Sequence, residues 1–351
     1  MAWAKPFAHT LRLMLVDRST GLEVAQVDGL LRKGRVSRNQ DSDHKESGSV
    51  EVVGAPDFGS RLARLYADVT FQDGTTESVA LGTFVPSTAS RKSDGSHSVT
   101  PVELVGRLSE LDGDQFDAPV TFAAGTPTVA AAASIAEAAG FEVVADPSTH
   151  VLSTSRTYGV DDGSKLKAIN DLLSVAGFTS ASTDAMGRLV LSKYVEPSRR
   201  PVAKEFREGQ GSRLLKDVVD ELDASEVPNV VHAVYTTPEA TVVGVAVDSD
   251  PASKWSTVAR GYRKVKTYRY NDAATQAEAD ARAAKLLAES RSVVHRVTFS
   301  HVFDPSVNVG SAVVLDYPSA GVPSLRLAVR VQDVDLGDGL VVKCEGREFS
   351  R

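Results

Sequence analysis

The sequence predicts a mixed β and α+β protein, reading β, then α/β, then β again with a helical interruption. Three observations carry this. Residues 10–105 hold short alternating runs separated by polar turns, without a convincing long helix. Residues 119–196 contain two helix-glycine-strand units. From Pro228 onward strand-like runs return, broken once by an alanine-rich helical pattern.

In chain order, residues 10–17 (TLRLMLVD) alternate apolar and polar side chains, as a half-buried strand does. Ser19-Thr20-Gly21 predicts a turn and residues 23–27 the next strand. Residues 38–49 are charged and poor in apolar side chains, which predicts an exposed loop. Residues 63–71 and 76–84 flank Asp73-Gly74, a strong hairpin signal because the turn needs a positive φ that glycine adopts without strain. A loop at residues 90–95 leads to a strand at 98–105. This domain reads as a small antiparallel barrel or sandwich.

The character changes after Gly113. Residues 119–122 predict a short strand, then Thr126 an N-cap with Pro127 at the first helical position. The alanine-rich helix at 128–139 stops at Gly140, and residues 141–144 continue as a strand. A related unit follows: Asp162-Gly163-Ser164 opens a helix whose Leu166, Ile169, Leu172 and Leu173 share a face. It ends at Gly177, and residues 178–181 lead through Met186-Gly187 into a strand at 188–191. Both units contain Ala-Gly-Phe, supporting one α/β module.

Residues 196–201 (EPSRRP) predict a linker, and 213–223 fit helix and strand equally. The C-terminal runs 312–315, 325–334 and 340–348 predict strands, with Gly337-Asp338-Gly339 as the last hairpin. Between them, residues 228–235 (PNVVHAVY) predict a strand, broken at Thr237-Pro238. A polar excursion through 248–253 leads to the basic, tyrosine-bearing run 261–270 (GYRKVKTYRY). A capping box, Thr275-Gln276-Ala277-Glu278, then opens a helix with Ala277, Ala281, Ala284 and Ala288 along one stripe. Residues 292–299 return to alternation, and Pro305, Val309 and Gly310 form a turn into another strand.

Composition excludes several classes. At 351 residues the chain can build two or more cores. Hydrophobic content of 42% and charged content of 24% are ordinary for a globular protein, and no run has the length of a membrane span. The first residues predict no signal peptide. A single cysteine, Cys344 in an alternating run, rules out an internal disulfide and reads as an inert strand residue. The net charge of -7 argues against gripping nucleic acid by its phosphates, though not against surrounding it.

No pattern predicts a catalytic residue, a cofactor or a metal ligand. The seven histidines, His9, His44, His97, His150, His232, His295 and His301, form no HExxH and no close helical pair. His295 and His301 share strand parity, which would suit a shared metal ion, but ordinary strand histidines fit better. Asp217, Asp220, Glu221, Asp223 and Glu226 could hide a glycosidase pair, but clustered acids are usually a solvated face. Gly-x-Ser-x-Gly is absent, Gly209-Gln210-Gly211 lacks a third glycine, and Gly125-Thr126-Pro127 has no Walker lysine. The 262–270 run would place Tyr262, Lys264, Lys266, Tyr268 and Tyr270 on one face of a strand, and Arg263, Val265, Thr267 and Arg269 on the other. That pattern superficially suits stacking on single-stranded nucleic acid, but an acidic neighbouring subunit fits it better in so acidic a chain.

The ordered set from Pro228 to Tyr317 resembles the baseplate-hub or tail-tip hub proteins of tailed bacteriophages, and the resemblance extends over most of the chain. Many relatives carry an acidic residue after the glycine of the Val309-Gly310 turn; here it is Ser311. The resemblance implies two small antiparallel β-barrels, with an α/β insert after the first and a helix-containing insert within the second. The implied domains are 1–118 (first barrel), 119–200 (α/β), 201–242 with 293–351 (second, discontinuous barrel), and 243–292 (insert). In that layout the 228–235 strand is expected to pair with the C-terminal strands.

It also implies a non-enzymatic homotrimer in the virion at the tail tip, assembled in the host cytoplasm, whose ring joins a sixfold tail tube to threefold tip proteins. Expected partners are the distal tail or tail tube protein, the tape-measure protein, and tip or fibre proteins. DNA would pass through the channel without specific binding. A tail-associated cell-wall hydrolase is the alternative, weakened by the expectation that no further domain follows Arg351. A carbohydrate-binding tip module is less favoured, since aromatics make up 6% and Trp3 and Trp255 lie far apart.

Overall fold

The alternating N-terminal stretch folds as β1 (Phe7–Val16), burying Leu13, Leu15 and Val16. The structure is a computed structural model that describes residues 3, 5–87, 92–93, 98–209, 211–222, 227–237, 240–270, 275–291 and 295–349. His97, Asp223, Glu226, Pro238, Val293, Val294 and most of the 90–95 loop lie outside the described residues. The chain divides into two compact units. The first holds Met1–Arg199, Ser300–Gly310 and Arg330–Cys344; the second holds Arg200–Phe299, Ser311–Val329 and Glu345–Arg351.

In the first unit β1 is followed by β2 (Glu23–Gln26), β3 (Leu30–Asn39), β4 (Glu46–Val53), β5 (Leu62–Phe71), β6 (Thr76–Ser87), β7 (Lys92–Ser93) and β8 (Ser98–Gly106). Only residues 40–45 of the expected 38–49 loop lie outside strands, because Val36, Gly48 and Val50 supply buried alternate positions to β3 and β4. β5 and β6 form the predicted hairpin, with Thr70 opposite Thr76. The antiparallel path runs from residues 331–335 through β3, β4, β8, β6, β5 and β1 to β2.

Among the described residues that path is open, so the first β-domain is not a barrel closed by a hydrogen-bonded ladder. It curls nonetheless. β1 touches β3, although four strands lie between them along the path, and His9 Nε2 on β1 lies 3.5 Å from the Leu336 carbonyl. Trp3, Phe71 and Phe303 add edge-on ring contacts, with Trp3 centred 5.3 Å from Phe71 and 5.6 Å from Phe303. Side chains, not backbone, draw the sheet round.

The α/β module contains α1 (Leu108–Asp112), β9 (Val120–Phe122), α2 (Thr128–Ala138), β10 (Val143–Ala145), β11 (Arg156–Tyr158), α3 (Lys165–Val175), β12 (Ser182–Thr183) and β13 (Leu189–Leu191). Pro127, not Thr126, occupies the N-cap of α2 and makes no side-chain cap. α3 begins where the Asp162-Gly163-Ser164 run predicts it, and Ser164 caps it, accepting from the Lys167 N–H at 3.2 Å. The two Ala-Gly-Phe units converge: β10 runs parallel to β13, and Phe141 and Phe178 enter one core with Ile169, Leu172 and Leu173. Each such fully buried side chain contributes about 1.5–3 kcal/mol.

The second unit uses β14 (Val202–Arg207), β15 (Leu214–Leu222), β16 (Val230–Thr236), β17 (Thr241–Val247), α4 (Thr257–Arg260), β18 (Val265–Tyr270) and α5 (Gln276–Arg291). Four later strands complete the list: β19 (His295–Val302), β20 (Ala312–Tyr317), and the pair β21 (Val322–Asp335) and β22 (Val341–Glu348), which flank the last turn. The ambiguous 213–223 segment is therefore a strand, β15, lying beside β19, which in turn lies beside β22. β14 runs parallel to β20, and β20 antiparallel to the start of β21.

One expectation is overturned. β16 does not pair with the C-terminal strands; it is the middle of a separate sheet, antiparallel to β17 and parallel to β18. Val231 packs with Ala233, Ala283, Leu286 and Leu287, all from this local assembly. The physical reason is proximity in sequence: the hairpin to β17 closes a short loop, and α5, the next helix after β18, covers one face of the sheet, before distant strands can compete.

The α5 stripe is also corrected. The capping box forms, with the Thr275 N–H donating to Glu278 Oε2 at 2.8 Å and the Glu278 N–H to Thr275 Oγ1 at 3.3 Å. The buried face, however, is Ala279, Ala283, Leu286 and Leu287, while Ala277, Ala281, Ala284 and Ala288 are exposed. Larger apolar area at the two leucines decides which face turns inward.

Candidate functional site

β19 alternates outward and inward residues, so His295, Val297, Phe299 and His301 share a parity, as expected. The two histidines nevertheless take unrelated partners. In the second unit, His295 Nδ1 donates to Glu348 Oε2 at 2.6 Å and Nε2 donates to Asp220 Oδ1. Asp220 comes from β15 and Glu348 from β22, the strands on either side of β19. Burial on its own would lower the His295 pKa, but the hydrogen bonds to Glu348 and Asp220 together outweigh it and raise the pKa above 6.5. With both ring nitrogens held by carboxylates, neither is left to draw a proton from a nucleophile. The cluster is a tie across three strands.

In the first unit, His301 is fully buried; its Nδ1 donates to the Val302 carbonyl at 2.8 Å, and its Nε2 lies 3.6 Å from Cys344 Sγ. A cysteine beside a histidine invites a nucleophile reading. Burial instead pushes the Cys344 thiol up to about 12, the opposite of an activated thiolate. The remaining described histidines are dispersed: His44 meets Asp112 at 3.0 Å, His150 meets Thr128 at 2.8 Å, and His232 sits on β16 opposite Val245 and Thr267. Among the described residues no group of three His, Cys, Asp or Glu side chains is arranged to hold a metal ion.

A polar cleft of about 290 Å³ in the first unit is lined by Arg35, His44, Lys45, Glu46 and Glu103 among others. Burial raises the Glu46 pKa, partly offset by Arg38 and by Thr183, whose hydroxyl donates to Glu46 Oε1 at 2.6 Å. That bond ties β4 to β12 of the α/β module. Two arginines do the same nearby: Arg64 donates to the Met186 carbonyl at 3.0 Å, and Arg107 to the Gly187 carbonyl at 2.6 Å. Burial lowers the Arg107 pKa to about 10. These polar groups fasten one module to another.

The basic run does not form a stacking platform for bases. Tyr268 and Tyr270 pack against the α5 core; Tyr270 stacks on Tyr235 at 4.7 Å and accepts from Arg282 Nε at 3.2 Å. Gln276 and Asp280 of α5, by contrast, reach the backbone of β17: Gln276 Nε2 donates to the Val243 carbonyl at 2.9 Å, and Asp280 Oδ1 accepts from the Val245 N–H at 3.2 Å. Sequence reading passed over this pair, although its i,i+4 spacing on a capped helix is visible. Nothing local announces the His295 cluster. Of the acidic group, Asp220 meets His295, Glu221 lies 3.9 Å from Arg296, and Asp217 is exposed on the same strand.

No protein-family model matches the sequence, and no curated protein matches it. The fold has solved counterparts. A tail protein from Neisseria meningitidis MC58 superposes with a TM-score of 0.69 at 14% identity, covering 96% of both chains. The 43 kDa tail protein of prophage MuSo2 from Shewanella oneidensis gives 0.68 at 12% identity, covering 96% of this chain and 97% of that one. The chain has the fold of phage and prophage tail proteins. Prophage tail protein gp18 from Listeria monocytogenes EGD-e follows with 0.58 at 12% identity, covering 97% and 95%. At such identities it is the fold that is shared. In this tail-protein fold both units and the α/β module fall within the likeness, so no large part of the chain stands outside it.

Proposed function

We propose that the chain is a structural tail-tip hub protein of a tailed bacteriophage. The observation that supports this best is the length of the likeness, which runs through the curled sheet, the α/β module and the second unit together. The His295 and Glu46 contacts fit the same reading, since each joins separate elements of the fold. In this reading the two β-rich units act as the two barrel-like repeats of the hub. The finer division sets 1–118 and 119–200 apart from a second β-rich domain interrupted by the local sheet of β16, β17 and β18 with α5.

Three copies would close a ring. Duplicated β-domains in a trimer give six similar surfaces, which lets a threefold ring sit on a sixfold tail tube. The tape-measure protein and DNA would pass through its channel, and an acidic chain would let DNA slide because fixed cations would retard phosphates. Distal tail, tube and fibre proteins would be its neighbours. The test is labelling of the chain in purified particles of the phage that encodes it, with copy number by quantitative mass spectrometry. Three copies at the tail tip are expected; absence from particles, or two or six copies, would overturn the reading. Wall-degrading activity of the purified chain would favour the hydrolase instead.

A further inference from the structure

The small sheet of the second unit has two unlike edges. At β17, α5 covers the outward backbone groups through Gln276 and Asp280. At the other end of the sheet is β18, and among the described residues no further strand pairs with it. Its side chains at Val265, Lys266, Thr267 and Arg269 are exposed. Over its six residues it carries Lys266 and Arg269 and no carboxylate. Another strand of this unit is its opposite in charge. β15 ends its own sheet beside β19, and carries Asp217, Asp220 and Glu221 against Lys216. Alternation along β15 puts Asp217, Val219 and Glu221 on the face away from the Asp220–His295 contact, and Val219 is 51% exposed.

Resting on the hub reading, we propose that the copies of the ring join by strand addition, the acidic edge β15 of one copy pairing with the basic edge β18 of the next. Lysine on an edge strand discourages pairing with a neutral or basic strand, which is a common guard against aggregation. Opposite an acidic strand the same charge favours pairing. The two edges differ from each other, so the contact is heterologous, and a heterologous contact closes into a ring when its rotation allows. Val219 and Val265, both exposed in the single chain, would then share one sheet with their partners. Capping of β17 by α5 leaves β18 as the edge of this small sheet that can take a strand.

The experiment is zero-length carbodiimide cross-linking of the intact chain, with 15N-labelled and unlabelled protein mixed so that links between copies carry mixed mass. Links from Asp217 or Glu221 of one copy to Lys266 of another are expected. Lys266→Glu with Arg269→Glu should weaken association about tenfold or more by native mass and sedimentation, as should Asp217→Lys with Glu221→Lys; all four together should restore it. Molar salt should weaken the wild type. Links confined to one copy, an oligomer indifferent to the substitutions, or a wild type monomeric at every concentration would each overturn the proposal. Wild-type cross-linking decides the matter even where a charge variant fails to fold, which circular dichroism would reveal. Presence of the chain in purified particles is a separate readout, so the hub reading can stand while this pairing fails.

Discussion

Gly244 on β17 lies directly beneath Ala279 of α5: a Cβ at residue 244 would fall 2.0 Å from the Ala279 carbonyl carbon and oxygen. The strand and the helix backbone are therefore in contact, and hydrogen reaches where no side chain can. Gly244→Ala should push α5 off the sheet and destabilise the second unit by about 1–3 kcal/mol, through overpacking against a rigid backbone. Denaturant unfolding of the purified chain checks this, and an unchanged midpoint would contradict the contact.

Gln276 and Asp280 should guard the β17 edge. Replacing both by alanine removes two side-chain-to-backbone hydrogen bonds, at a cost of about 1 kcal/mol each. It also bares the Val243 carbonyl and the Val245 N–H on an edge whose Val243, Val245 and Val247 side chains are exposed. The expected outcome is concentration-dependent association seen by light scattering, in excess of that of the wild type at equal salt.

The His295 tie predicts a pH dependence. Its folded pKa is raised, so its contribution to stability is fully present below 6.5 and is lost as the pH rises through the folded value. The difference in thermal midpoint between wild type and His295→Ala should be larger near about pH 5.5 than near about pH 9. A difference that grows with pH would refute the assignment. On the proposed function, His295→Ala and Asp220→Asn should both leave assembled particles infectious, because the cluster holds strands together.

Leu172 is fully buried in the α/β core. Leu172→Asp places an unpaired carboxylate there and should cost about 3–5 kcal/mol, which on the proposed function would prevent tail assembly. Limited proteolysis should show cleavage within the α/β module first; uniform resistance equal to the wild type would contradict the packing.

Sequence alone determined what depends on near neighbours. The Ser164 cap, the Thr275–Glu278 box, the Asp73-Gly74 hairpin and the Gly140 and Gly177 helix ends are all settled within a few residues, where dihedral preference and i,i+3 hydrogen bonds act. Alternation likewise gave His295 and His301 their shared parity. Tertiary structure decided which surfaces meet. Strand pattern is nearly the same whichever partner a strand takes, so it could not place β16 with β17 and β18 instead of the C-terminal strands. Alanines fill two stripes of α5, and only packing against Val231 and Ala233 selected the one that carries Leu286 and Leu287. His295 meets Asp220 across 75 residues of sequence and Glu348 across 53, and no local preference encodes such distances; they follow from burying apolar strand faces together, which brings the charged rims along.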